Sequence, residues 1–125
     1  MDEMRRRQMK RYLRWLPAGL WAVVIFAGSS VPGTLIPGGY SVWGHLGEYL
    51  VLGALTAWAL RRDDWGTILL AIGLCALYGA SDEVHQAFVP YRVPDVFDWI
   101  TDVGGATIGV AAYLLLSLRG ESRTP

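Results

Sequence analysis

Three short stretches of this 125-residue chain gather side chains that do chemistry. His45, Glu48 and Tyr49 stand at i, i+3 and i+4 in WGHLGEYL. Asp82, His85 and Gln86 repeat that spacing in SDEVHQAF, where Glu83 points more to the side. Asp95, Asp98 and Asp102 follow i, i+3 and i+7 in VPDVFDWITD. On a helix each set shares one face. An imidazole titrates near neutrality and a carboxylate orients it or takes its proton, so His45, Glu48, Asp82, Glu83, His85 and Asp98 are candidates for acid/base catalysis. The fork of donors on Arg92 suits a phosphate or carboxylate, and Tyr49, Gln86, Asp95 and Asp102 complete a candidate ligand-binding set.

Each of these has a purely structural counterpart. His45 with Glu48 could pin two helices, and Ser81, Asp82 and Glu83 suit a helix amino terminus. Asp98 and Asp102 repel at i, i+4 and call for a proton or a cation between them, most simply Arg92. Asp82, Glu83 and His85 with His45 and Glu48 offer N and O atoms to a divalent ion. The chain has no HExxH or other specific signature, however, so no metal ligand and no cofactor is assigned. It also has no serine in a nucleophile elbow and no nucleotide loop. The aromatics among these residues, such as Trp43, Phe88 and Trp99, suit sugar stacking but equally mark headgroup depth.

The elements that must hold these residues are membrane helices. Hydrophobic residues make up 53% of the chain and charged ones 18%, with a mean hydropathy of +0.31, which favours an integral membrane protein. Lys plus Arg equals Asp plus Glu, at eleven each, yet six of the basic residues fall within the first fourteen positions. That distribution says nothing in favour of nucleic-acid binding. Cys75, the only cysteine, excludes an intrachain disulfide. The expected fold is all-α: a four-helix transmembrane bundle with spans at about 15–31, 42–60, 65–80 and 96–118. A short helical polar segment lies between spans three and four. Pro32, Gly33, Pro37, Gly38 and Gly39 punctuate the first loop. The domain reading is a basic cytoplasmic segment at 1–14, the membrane domain at 15–118 and a cytoplasmic tail at 119–125. Lys and Arg crowd the amino terminus, the 61–65 linker (Arg61, Arg62) and the tail (Arg119, Arg123), so both termini are expected in the cytoplasm.

With that topology the three polar stretches meet at the outer end of one small bundle. Gly105 and Gly109 continue the face of Asp98 and Asp102 inward as a small-xxx-small element that permits close helix approach. SDEVHQAF then forms one wall of an outward-facing polar pocket.

These residues resemble the VanZ-like family of small bacterial membrane proteins, named after a member associated with teicoplanin resistance. His45 and Tyr49 match the family's His-x-x-x-Tyr at a span's start, and Asp82, Glu83 and Gln86 match its acidic pair with a following Gln. Pro90 and Arg92, then Asp98, Asp102, Gly105 and Gly109, continue the pattern, which extends from about residue 20 to residue 116. Two departures stand out. Val42, Trp43 and Gly44 replace an acidic and basic pair, and Asp102 stands where Asn is commoner. The resemblance implies a bacterial cell membrane location and a link to the envelope or to glycopeptide antibiotic resistance. The expected function is binding, with modification as a further step, of an amphiphilic envelope component such as a lipid-linked precursor or a lipoglycopeptide. Alternatives are a non-enzymatic helper subunit and a small oligomeric proton-coupled lipid transporter. Expected partners are membrane lipids and further copies of the chain.

Overall fold

Apolar segments whose backbone amides and carbonyls have no water to turn to satisfy them internally, and the α-helix does so within one stretch of chain. The computed structural model describes residues 2–36 and 40–121 and is all-α. Pro37, Gly38, Gly39 and Arg123 lie outside the described residues. Helix α1 (Glu3–Leu13) and α2 (Leu16–Ser29) are followed by α3 (Tyr40–Leu60), α4 (Trp65–Gln86) and α5 (Val96–Glu121), with a 3-10 turn at Gly33–Leu35. Among the described residues, three stretches are long and apolar enough to cross a membrane: Glu3–Ser29, Trp65–Gln86 and Val96–Glu121. Helix α3, expected as the second span, is 21 residues long but is not among them. Its first half carries His45 and Glu48, and its interior position lets it keep them.

Two features differ from the sequence expectation. The basic segment ahead of the first apolar run is itself helical and leads through a turn at Arg14 and Trp15 into α2. Pro17 falls in the first turn of α2, where its missing N–H is not needed. The second difference concerns SDEVHQ, which is not a separate segment between spans but the last turn and a half of α4. Its polar side chains find partners inside the bundle, so nothing forces the helix to stop at Ala80.

Contacts fix the relative directions of the helices. His45 meets Asp102, and Gly53 lies against Ala106, so α3 and α5 run parallel. Tyr78 donates to the Ala22 carbonyl and Gln86 to Ser29, so α2 and α4 are parallel to each other and opposed to the first pair. A Cβ on Gly105 would sit 2.5 Å from the Leu46 carbonyl oxygen, and one on Gly109 would sit 2.8 Å from the Leu50 carbonyl carbon. The expected small stripe therefore packs against backbone, and Gly53 of α3 returns the contact from the other side. Ile25, Tyr49, Leu52, Cys75 and Ala106 form one core cluster, and Ala57, Ala71 and Val110 another. Outside, Leu20, Val23, Leu69, Leu77, Ile108 and Leu116 are exposed, whereas His45, Asp82, Glu83, Gln86 and Asp102 are buried. Apolar outside and polar inside is the distribution of a protein solvated by lipid.

Candidate functional site

The carboxyl ends of α2 and α4 and the amino ends of α3 and α5 come together at one end of the bundle, and the polar residues meet there. His45 projects from the second turn of α3 onto the face of α5 that its glycines leave open. Its Nδ1 lies 2.6 Å from Asp102 Oδ1, and its Nε2 lies 3.9 Å from Asp98 Oδ2. His45 is 5% and Asp102 0% exposed. The group between the two like-charged carboxylates is thus His45 and not Arg92, which corrects the sequence expectation. Short reach decides this: α3 and α5 touch at backbone distance, while Arg92 sits in the 87–95 connection.

Arg92 instead donates from Nε to the Val31 carbonyl (3.0 Å) and from Nη2 to the Gly28 carbonyl (2.9 Å). It fastens the 87–95 connection to the carboxyl end of α2, where the Gly28 carbonyl also accepts from the Val31 amide. Asp95 serves as a cap, because its Oδ1 accepts from the Phe97 amide at the start of α5. Its own amide donates to Glu83 Oε2 at 3.1 Å.

Glu83, expected to point sideways, is turned inward with Asp82 and Gln86. Gln86 Nε2 lies 3.3 Å from Asp82 Oδ2 and 3.4 Å from Ser29 Oγ. One atom each of His45, Glu83 and Asp98 lie within 4.8 Å of one another. Glu83 Oε1, Asp102 Oδ2 and the Tyr49 hydroxyl are buried without a hydrogen-bond partner among the described residues. Beside this cluster a cleft of about 240 Å³ runs between α4 and α5, lined by Ala80, Glu83, Pro94, Asp95, Val96 and Trp99. Its walls are apolar apart from Glu83 and Asp95, and the Trp99 indole is fixed by a hydrogen bond to the Ala76 carbonyl.

His85 belongs to a different surface. Ser30 Oγ donates to the Phe26 carbonyl and so accepts from His85 Nε2 at 2.9 Å, while the ring stacks on Phe26 at 4.4 Å. Glu48 is half-buried next to Gly28, and its carbonyl accepts from Trp21 Nε1. Of the eleven residues singled out in the sequence, His45, Tyr49, Asp82, Glu83, Gln86 and Asp102 thus form the buried set, with Asp98 and Glu48 half-buried at its margins. Arg92, Asp95 and His85 hold helix ends or neighbouring helices. The sequence reading passed over Ser29, although it is the last residue of an apolar helix, where a hydroxyl can turn inward. It also passed over Gly53, at i+4 from Tyr49 and i+8 from His45.

The arrangement can do two things chemically. With Asp102 ionised, the Nδ1–H of His45 donates to it and leaves Nε2 as a base or ligand directed at Asp98 and Glu83. The buried carboxylate oxygens can accept from a donor or hold a cation. One family profile, described as VanZ/LLP1, matches residues 13–117. No curated protein and no solved structure matches the chain.

Proposed function

The chain belongs to the VanZ/LLP1 family, and from that premise we propose that the polar end of its bundle binds the headgroup of an amphiphilic cell-envelope component. In this reading the chain crosses the membrane four times with both termini in the cytoplasm, so the cleft faces outward at headgroup depth. The positive charge at the amino terminus and in the 61–65 linker favours that orientation. One observation carries the reading: Glu83 keeps a buried carboxylate oxygen without a partner on the wall of an apolar cleft. Inside a membrane such an oxygen costs several kcal/mol, roughly, until something donates to it, and ionisable groups at such depth are functional by default. The apolar walls suit an acyl or isoprenoid chain, and the acceptor oxygens suit hydroxyl, ammonium or cation-bearing headgroups.

A second reading adds chemistry. His45, held by Asp102 at 2.6 Å, has the form of a general base whose ring is fixed by a carboxylate. A helper subunit would retain ligand and make no product. Native mass spectrometry of protein extracted with its own lipids tests both. Wild type is expected to retain a discrete envelope lipid that Glu83→Gln and His45→Ala lose. A product formed by wild type and not by His45→Ala selects chemistry over binding. Equal, non-selective phospholipid in all three proteins refutes the site.

A further inference from the structure

The charge at this end of the bundle is one-sided. Asp82, Glu83, Asp98 and Asp102 surround His45, and Arg92, the one residue of fixed positive charge between Asp82 and Asp102 in the sequence, directs Nε and one N–H of Nη2 to the Val31 and Gly28 carbonyls. In a medium of low dielectric constant an uncompensated group of carboxylates is unfavourable. The geometry around His45 sharpens the point. Its Nδ1 is taken by Asp102, so Nε2 is the free ring nitrogen, and it faces Asp98 Oδ2 at 3.9 Å. That separation is too long for a hydrogen bond. Two ligands of one metal, with bonds of about 2.1 Å, stand roughly 3 to 4.3 Å apart, a range that includes it. Glu83 supplies the third atom, all three within 4.8 Å, and its Oε1 is buried with no partner although the residue is only 9% exposed. An imidazole oriented by a carboxylate on its other nitrogen is how histidine metal ligands are generally held.

We infer that His45 Nε2, Glu83 and Asp98 bind a divalent cation of the Mn²⁺ or Zn²⁺ type, with Asp102 positioning the imidazole. One imidazole and two carboxylates suit these ions better than Mg²⁺ or Ca²⁺, which prefer all-oxygen sets. Three protein ligands leave coordination positions open on the side of the Ala80–Trp99 cleft. This deepens the proposed function and rests on it for one further step: the open positions take anionic oxygens, so the ligand class narrows to a lipid-linked phosphate or carboxylate. The cation turns an acidic floor, which would repel such a group, into one that holds it.

The test uses the full chain, stripped of metal and lipid in detergent, with Mn²⁺ alone as the probe. Electron paramagnetic resonance and titration are expected to give one Mn²⁺ per chain with ¹⁴N coupling from an imidazole. Glu83→Gln, Asp98→Asn and His45→Ala should each weaken binding at least tenfold. Asp102→Asn should weaken it about 10- to 100-fold with an altered ¹⁴N coupling, a change that loss of stability alone does not produce. Asp63→Asn, in the exposed linker, should bind as wild type. Glu83→Gln and Asp98→Asn preserve side-chain shape, so they decide the matter if His45→Ala does not fold. No stoichiometric binding by folded wild type, or binding unchanged in both amide variants, overturns the inference. Lipid retention without Mn²⁺ binding overturns the cation and spares the proposed function. Mn²⁺ binding without selective lipid retention does the reverse.

Discussion

Gly104 and Gly105 are neighbours on α5 with opposite surroundings, and replacing each by alanine measures the α3–α5 contact that brings His45 to Asp102. A Cβ on Gly104 meets nothing within 4 Å, so Gly104→Ala gains only helix propensity, about 1 kcal/mol. A Cβ on Gly105 lies 2.5 Å from the Leu46 carbonyl oxygen, about 0.9 Å short of the 3.4 Å at which ordinary contact begins, and 3.2 Å from the Leu50 amide nitrogen. Both obstacles are helix backbone, so the helices must part. Propensity contributes equally to the two variants and cancels, which leaves the overpacking cost, roughly 1–3 kcal/mol, as the difference between them. Equilibrium unfolding in mixed micelles, titrated with SDS and followed by circular dichroism, gives both values. The Gly105 variant should be the less stable by that amount and should also lose ligand, because Leu46 adjoins His45. Stabilities within about 0.5 kcal/mol of each other would refute close backbone packing at this point.

Arg92→Gln removes two charged donors from the end of α2 and should cost roughly 1.5 kcal/mol in the same assay, with loss of ligand only as a consequence of lost structure. At the start of α4 the Thr67 backbone amide, and then its hydroxyl, hydrogen-bond to Asp64 and hold its carboxyl below the usual aspartate value. A depressed folded value means stabilisation that is present above the unfolded pKa of about 3.9 and is lost as pH falls through the folded one. The difference in melting temperature between wild type and Asp64→Asn should therefore shrink on acidification, and a difference independent of pH would contradict it. Cysteines at positions 35 and 88 of a Cys75→Ala chain should react with an impermeant thiol reagent on intact cells, while one at 63 should not. Reaction at 63 alone would invert the topology.

The helical class, the polar faces and their meeting at one end were legible in the sequence because periodicity and depth are local properties. His45 and Asp102 are 57 residues apart, and their pairing depends on how far α3 and α5 approach, which Gly53, Gly105 and Gly109 decide together. Only two of those glycines stood out, so the partner of His45 could not be chosen. Arg92 was drawn to the carboxylates by charge alone. In the fold, the carbonyls of Gly28 and Val31 are within its reach, and Asp102 is already held by His45. The end of α4 was hidden for a related reason, since Asp82 and Gln86 look like a loop until Ser29 and the neighbouring helices supply their surroundings.

The central claim is that the Ala80–Trp99 cleft with Glu83 receives a specific headgroup. A photoreactive benzophenone side chain placed at Val96, exposed and on the cleft wall, measures its occupant in native membranes, with Leu116 towards the other end of α5 as the reference position. Position 96 should capture one discrete envelope lipid, and that product should vanish in Glu83→Gln while position 116 yields bulk phospholipid throughout. The same bulk profile at both positions, unchanged by Glu83→Gln, would contradict the account and leave the buried polar set as internal pairing of helices.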